Sequence, residues 1–251
     1  MTAPRASVAI CIPSNDQWQA ATSVAVIDMI RFSLANRVDC GVINWRGATV
    51  TASRNGLVKL ATDIKGVDAI LWVDSDMVMP PDTLLRLLDH DKDVVGCFYN
   101  KRTPPHETVG KLRDPNADIS KGGLYEADYL PGGLALVKSS VYRKLAWPWY
   151  FESYRWPGDP VESFLARLRD TAVIDLPAEI AASLPGSWRA WIAENHAADV
   201  ATYAGNMVSE DIAFCKKARA VGYRLYCDVS LTYQVQHLAV MPVACAAPEP
   251  R

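Results

Sequence analysis

The chain has no long apolar run, no C-x-x-C pair, no repeat and no low-complexity tract. Each absence removes a class. Without a run near the roughly 18 residues that cross a bilayer, no membrane span is expected. The apolar stretch at 238–247 is short and broken by Pro242, so it is expected to be a docked or frayed tail. The first residues are polar, so no signal peptide is expected. Charge is nearly balanced, 26 Lys and Arg against 28 Asp and Glu for a net charge of -2, so the chain as a whole offers no basic field for nucleic acid. Six cysteines stand mostly inside apolar runs, as at Ile10-Cys11-Ile12 and Gly96-Cys97-Phe98; this fits buried thiols and a cytoplasmic setting rather than a disulfide framework. No glycine follows the first apolar run, where Ile12-Pro13-Ser14-Asn15-Asp16 stands, so a Gly-rich triphosphate loop is absent.

What is present is a regular alternation. Its 251 residues, 50 % of them hydrophobic, suit one large domain. Apolar runs at 8–12, 40–44, 68–73 and 93–98 read as strands. Stretches with helical spacing at 18–34, 52–63 and 83–88 lie between them. The second helix is expected to turn Leu57, Leu60, Ala61 and Ile64 to one face. This order predicts βαβ units and an α/β fold, a mostly parallel sheet covered by helices on both faces. After Tyr99 the character changes, and 101–123 reads as a long surface loop. A strand at 134–137 and a helix from Ser139 follow. Residues 147–206 are rich in aromatics, with helical stretches near 161–169 and 188–196. The aromatics fit either stacking on sugar rings or filling a small second core. A helix at 209–221 ending on Gly222, then strands at 224–227 and 230–236, completes the pattern.

The chemistry is concentrated in a few places. Asp74-Ser75-Asp76 leaves the strand at 68–73, at the strand end where α/β sheets bind ligands. Alternation sends Asp74 and Asp76 to the same side, where hard oxygens suit Mg²⁺ or Mn²⁺ together with phosphate oxygens. A solvated acidic turn would look the same. Ser209-Glu210-Asp211 opens a late helix; the acids suit the helix dipole, and one of them also suits a general base. His237, at a late strand end, would add a nitrogen donor that favours Mn²⁺. Arg54 offers a guanidinium for a diphosphate or a base. Pro13 and Ser14 reach the same sheet edge and fit a nucleoside contact. Gly132-Gly133 is either a plain turn or a loop bare enough for a sugar to approach.

Taken in order, these motifs resemble the GT-A fold of nucleotide-sugar-dependent glycosyltransferases, especially family 2 and its small soluble relatives, some of them phage-borne. The likeness covers about 7–145 and 207–238. The resemblance implies a single domain over 1–251: a nucleotide-sugar-binding half at 7–100, an acceptor half at 101–238 and a tail at 239–251. It implies a transferase that moves a sugar from a nucleoside diphosphate donor, UDP ahead of GDP, to an acceptor hydroxyl, with inversion. Asp76 and His237 match the metal ligands. Asp74 matches the ribose-side residue that also serves the metal's water shell. Asp211 matches the base, with Glu210 beside it. Pro13, Ser14, Arg54, Asp74, Ser75, Gly132 and Gly133 match donor contacts. The acceptor stays open among glycan, glycoside, protein side chain and modified nucleobase. Asn44-Trp45-Arg46 stands where many relatives place the acid that reads the base. The Q-x-x-R-W motif of processive synthases is absent. Two rival readings are an inactive nucleotide- or carbohydrate-binding module and a sugar-phosphate nucleotidylyltransferase; the missing Gly-rich loop argues against the second.

Overall fold

The computed structural model describes residues 4–47, 49–102, 104–151 and 209–239. The expected helices near 161–169 and 188–196 and the tail beyond 239 lie outside them, as do Tyr154, Trp156, Trp188, Trp191 and Cys245. Through Asn100 the elements are β1 (Ala6–Ser14), α1 (Ala20–Ala35), β2 (Val38–Arg46), α2 (Val50–Asp63), β3 (Ala69–Val73), β4 (Met77–Val78), α3 (Thr83–Asp89), β5 (Val94–Gly96) and β6 (Tyr99–Asn100). There follow β7 (Thr108–Val109), β8 (Lys111–Leu112), β9 (Leu124–Tyr129), β10 (Leu134–Lys138) and α4 (Ser139–Lys144). The late elements are α5 (Glu210–Ala220), β11 (Leu225–Asp228), α6 (Val229–Thr232) and β12 (Gln236–His237).

The main sheet has eight strands in the order β2-β1-β3-β10-β5-β11-β9-β8. Pairing is parallel for β1 with β2 and β3 and for β5 with β11; β9 and β10 run against their neighbours. The fold is therefore the expected α/β sheet, with two reversed strands set among six that share a direction.

Alternation along the strands makes two cores. Ala9, Cys11, Ile70 and Trp72 face α2, α4 and α5, against Leu57, Val58, Tyr142, Phe214 and Cys215. Val8, Ile10, Ile12, Leu71 and Val73 face α1 and α3, against Val26, Met29, Leu84 and Leu87. Both sheet faces are thus covered, which is why these strands are apolar at every position. Pro13 is accommodated inside β1 because pairing with β3 ends at Cys11, so Pro13 has only β2 beside it.

Several expectations are corrected. Leu60 and Ile64 are exposed at 44 % and 50 %, and the buried face of α2 is instead Arg54, Asn55, Leu57, Val58 and Ala61. The expected strand at 230–236 is instead the end of helix α6, a turn at 233–234 and the first residue of β12; the Asp228 carboxylate accepts from the Leu231 N–H at 2.8 Å and turns the chain there. The stretch 101–123 is not a plain loop, since β7 pairs with β6 and β8 extends the sheet edge. Gly222 does end α5, with φ at +94° and the Tyr223 N–H bonded back to the Ala218 carbonyl at 3.1 Å. Of the aromatics after residue 146, Tyr150 and Phe151 are buried, and Tyr150 stacks on Phe214 at 4.9 Å. Tyr150 thereby joins the core that holds Trp72 and Phe214.

The five described cysteines are free, and Cys11, Cys97, Cys215 and Cys227 are buried. Burial pushes the thiols of Cys11 and Cys227 up to about 12, although Arg54 and Thr232 respectively pull the other way. In native protein at about pH 8 these four are expected to resist a thiol reagent, with Cys40 reacting ahead of them. Labelling of any of the four as fast as in urea would contradict the packing. Among the described residues, no helix is long and apolar enough to cross a membrane.

Candidate active site

Arg54 organises one half of the site. It lies on the inner face of α2 and is 2 % exposed. Its Nη2 donates to Asp74 Oδ1 at 2.9 Å, its Nη1 to the Gly132 carbonyl at 3.2 Å, and its Nε to Glu210 Oε1 at 3.4 Å. The guanidinium lies 5.0 Å from the Trp72 ring centre and 5.7 Å from that of Tyr150. One buried cation thus gathers a carboxylate from the end of β3 and another from the start of α5. Burial works against its charge, but Asp74 and Glu210 outweigh burial and hold the proton more tightly than usual. Burial also raises the carboxyl groups of Asp74 and Glu210, with Arg54 opposing the rise in both.

Its neighbour Asn55 fixes the same region. Its amide donates to the Tyr150 carbonyl at 2.7 Å and accepts from the N–H groups of Trp149 and Tyr150 at 3.0 and 3.1 Å. This ties the segment after α4 to α2. The sequence pairs Asn55 with Arg54 in the run Ser53-Arg54-Asn55 but gives a role to Arg54 only; the available signal for Asn55 is a polar residue on the face of Leu57, Val58 and Ala61.

The other half joins Asp76 to His237. β4 pairs antiparallel with β12, putting His237 opposite Met77, and the Leu238 N–H donates to the Asp76 carbonyl at 2.8 Å. His237 Nε2 then stands 3.5 Å from Asp76 Oδ1. The ring's Nδ1 is 2.9 Å from the Asn100 carbonyl, which can only accept, so Nδ1 carries a proton. Burial pulls the His237 pKa down, but Asp76 and the Asn100 carbonyl outweigh it, and the net direction is upward. Burial pushes Asp76 up, while His237 and Arg102 bring it below its ordinary value. Arg102 Nη1 donates to Asp76 Oδ2 at 2.8 Å.

Tyr99 connects the halves. Its ring meets His237 edge-on at 5.0 Å, and its hydroxyl accepts from the Gly133 N–H at 2.9 Å. The Gly133 carbonyl in turn accepts from the Asp74 N–H at 2.9 Å. A Cβ on Gly132 would come within 2.6 Å of Arg54 Nη2, and one on Gly133 within 2.5 Å of the Tyr99 hydroxyl and 2.9 Å of Asp74 Oδ2. These glycines let the loop close onto Arg54, Tyr99 and Asp74. Tyr99 and Arg102 were not singled out in the sequence; they fall where the apolar strand pattern gives way to polar residues.

Asp211 sits beside this loop. Its Oδ1 accepts from the Ile212 N–H at 2.7 Å and from the Ser209 hydroxyl, and its Oδ2 accepts from the Gly132 N–H at 3.3 Å. Ser209 holds the N-cap position of α5, but its hydroxyl serves Asp211 rather than a helix N–H. At the β1–β2 edge, the Asn44 amide donates to the Ile12 carbonyl at 2.8 Å and the Ser14 hydroxyl at 2.9 Å. Asn44 thereby fixes the strand end that carries Pro13 and Ser14. The Ser75 carbonyl accepts from the Gln19 N–H at 2.9 Å and pins the loop after β3 to the start of α1.

The structure therefore brings Asp76 and His237 together and turns Asp74 toward Arg54. Among the described residues, no group of three or more His, Cys, Asp or Glu is placed to hold a metal ion. What stands ready is one carboxylate and one imidazole whose Nδ1–H is fixed. That donor pair fits a divalent cation that takes its remaining ligands from phosphate oxygens and water.

No protein-family model matches the chain, and no curated protein matches it. Solved structures similar to it include A197 from STIV, at 16 % identity and a TM-score of 0.41 over 58 % of this chain and 71 % of that one. A second is a mutant Drosophila β-1,4-galactosyltransferase 7 in complex with manganese, UDP-Gal and xylobiose, at 16 % identity and a TM-score of 0.37, covering 67 % of this chain and 63 % of that one. A third is a glycosyltransferase involved in the glycosylation of the major capsid of PBCV-1, at 10 % identity and a TM-score of 0.35, over 88 % of this chain and 93 % of that one.

Proposed function

We propose that the protein is a nucleotide-sugar-dependent glycosyltransferase, with a UDP-sugar as donor ahead of a GDP-sugar and an acceptor hydroxyl attacking with inversion. The observation that carries this reading is the meeting of Asp76 with His237, 161 residues apart in the chain, beside the Arg54-centred group of Asp74 and Glu210. The nucleoside lies along the carboxyl ends of β1 and β2 at Pro13 and Ser14, and the diphosphate reaches the loop Asp74-Ser75-Asp76. The half at 7–100 takes the donor and the half at 101–238 supplies the acceptor side. Asp76 and His237 would hold Mn²⁺ or Mg²⁺, the imidazole favouring Mn²⁺. A divalent cation bound there neutralises charge gathering on the leaving nucleoside diphosphate. Arg54 fixes Asp74 and Glu210, the Gly132-Gly133 loop closes the floor, and Asp211 takes the acceptor proton.

Mn²⁺ with UDP is expected to stabilise the fold by about 2.7 kcal/mol at a hundredfold excess over Kd. For a domain of this size that is a rise in Tm of roughly 5–10 °C. Asp76→Ala should remove the metal-dependent part of the rise, as read by differential scanning fluorimetry. No rise with either UDP or GDP would sink the donor reading. A rise without slow hydrolysis of any nucleotide sugar would select a binding module. The Arg102 contact with Asp76 favours one variant, in which protein cations replace the metal; a UDP shift unchanged by EDTA would select that.

A further inference from the structure

A cavity of about 650 Å³ opens between the β6–β7 hairpin and the segment carrying β12, a size typical of small-molecule sites. Lys101, Arg102, His106 and His237 are among its described lining residues, and no carboxylate is. Its lining includes none of Pro13, Ser14, Arg54, Asp74 or Gly132. A donor laid from the β1–β2 edge to Asp76 meets it along one rim, at His237, Arg102 and Tyr99, while Lys101 and His106 bond within the hairpin. Beyond that rim the cavity has room for a second ligand, and its lining suits an anion.

The cations are available. Lys101 pairs with Glu107 at 2.6 Å and Arg102 with Asp76 at 2.8 Å, while the side chains of Lys101 and Arg102 stay 53 % and 56 % exposed. The Lys101–Glu107 pair is exposed on both sides, and such pairs are weak and exchange readily; Arg102 holds an Asp76 that is 15 % exposed, but its own guanidinium still faces water. A guanidinium fork beside a lysine ammonium matches a phosphate, with several oxygens and up to two charges, better than a single carboxylate.

We propose that this cavity binds a phosphate group carried by the acceptor, with Lys101 and Arg102 as its anchors. The word acceptor rests on the transferase reading; the phosphate site stands apart from it. Arg102 then has two partners, Asp76 when the cavity is empty and the phosphate when it is filled. Filling the cavity frees Asp76 Oδ2 on the donor side.

The test is titration calorimetry on the full chain, at low ionic strength with EDTA, using glycerol 3-phosphate, inorganic phosphate and UDP as probes. EDTA removes any metal bridge through Asp76. Glycerol 3-phosphate should bind, and Lys101→Ala with Arg102→Ala should weaken it about tenfold or more. The charge-matched pair Arg31→Ala with Lys59→Ala, at exposed sites on α1 and α2, should leave it unchanged. Equal loss in both double variants would reduce the effect to general electrostatics and overturn the site. So would failure of both phosphate probes to bind. If UDP alone binds and loses affinity in the cavity variant, the cavity is part of the donor site and the acceptor assignment falls. Absence of any UDP or GDP effect with Mn²⁺ would end the transferase reading while leaving the phosphate titration readable.

Discussion

Arg54→Ala is expected to cost about 3–5 kcal/mol of stability, because it removes one charge from a buried group and strands the others. Arg54 is 2 % exposed, and the Glu210 side chain is 13 % exposed, so neither is hydrated by bulk water. Asp74 keeps 28 % of its side-chain surface and can recover some hydration, which places the expected loss toward the lower end of that range. The contacts over Trp72 and Tyr150 are lost as well, leaving a gap between α2 and the sheet. Arg54→Lys should fall between, since one ammonium cannot reach Asp74, Glu210 and the Gly132 carbonyl as the fork does. Combining Arg54→Leu with Asp74→Asn and Glu210→Gln should recover much of the loss, because neutral groups are cheaper to bury than unpaired charges. Urea denaturation measures each step. A loss below about 1 kcal/mol for Arg54→Ala would mean the carboxylates need no buried partner, and the organising role given to Arg54 would be wrong.

This arginine also marks the limit of what the chain discloses before folding. Strands β1 and β3 were legible because both of their faces are buried, so the apolar signal is continuous. The loop after β3 was legible because it follows such a strand and carries two carboxylates. The direction of β10 was not: Leu134–Lys138 is an apolar run, and such a run has no polarity that says whether it pairs parallel or antiparallel. The segment at 230–236 reads as a strand because Leu231, Tyr233 and Val235 alternate with polar residues; one side-chain bond from Asp228 is enough to make a helical turn instead. The face of α2 was misjudged by one step, since hydrophobicity favours Leu60 and Ile64 over an arginine. Arg54 is buried only because Asp74, Gly132 and Glu210, all distant in the chain, meet it there. Likewise the closeness of His237 to Asp76 depends on the two-residue pairing of β4 with β12, too short to leave a pattern.

Asp211→Asn should lower transfer by about 10²–10⁴-fold while leaving donor binding intact. Two donors already hold Oδ1, the Ile212 N–H and the Ser209 hydroxyl, so that oxygen is committed to the start of α5. The other oxygen has one long contact, 3.3 Å from the Gly132 N–H, and keeps a lone pair for an acceptor hydroxyl. An asparagine that keeps its oxygen at the Oδ1 position must aim its NH₂ at the Gly132 N–H, donor against donor; turned over, it loses the Ile212 bond. In neither orientation does it take up a proton under working conditions. The UDP-dependent rise in Tm with Mn²⁺ should survive, because Pro13, Ser14, Asp76 and His237 are untouched. Glu210→Gln is the comparison that identifies the base. Burial raises the Glu210 carboxyl, which favours proton uptake there, but its Oε1 is engaged by Arg54 Nε. If Asp211 is the base, Asp211→Asn removes nearly all transfer and Glu210→Gln lowers it far less. Near-normal transfer by Asp211→Asn, with transfer lost in Glu210→Gln instead, would move the proton transfer to Glu210 and leave Asp211 as an acceptor for the Ile212 N–H in the first turn of α5.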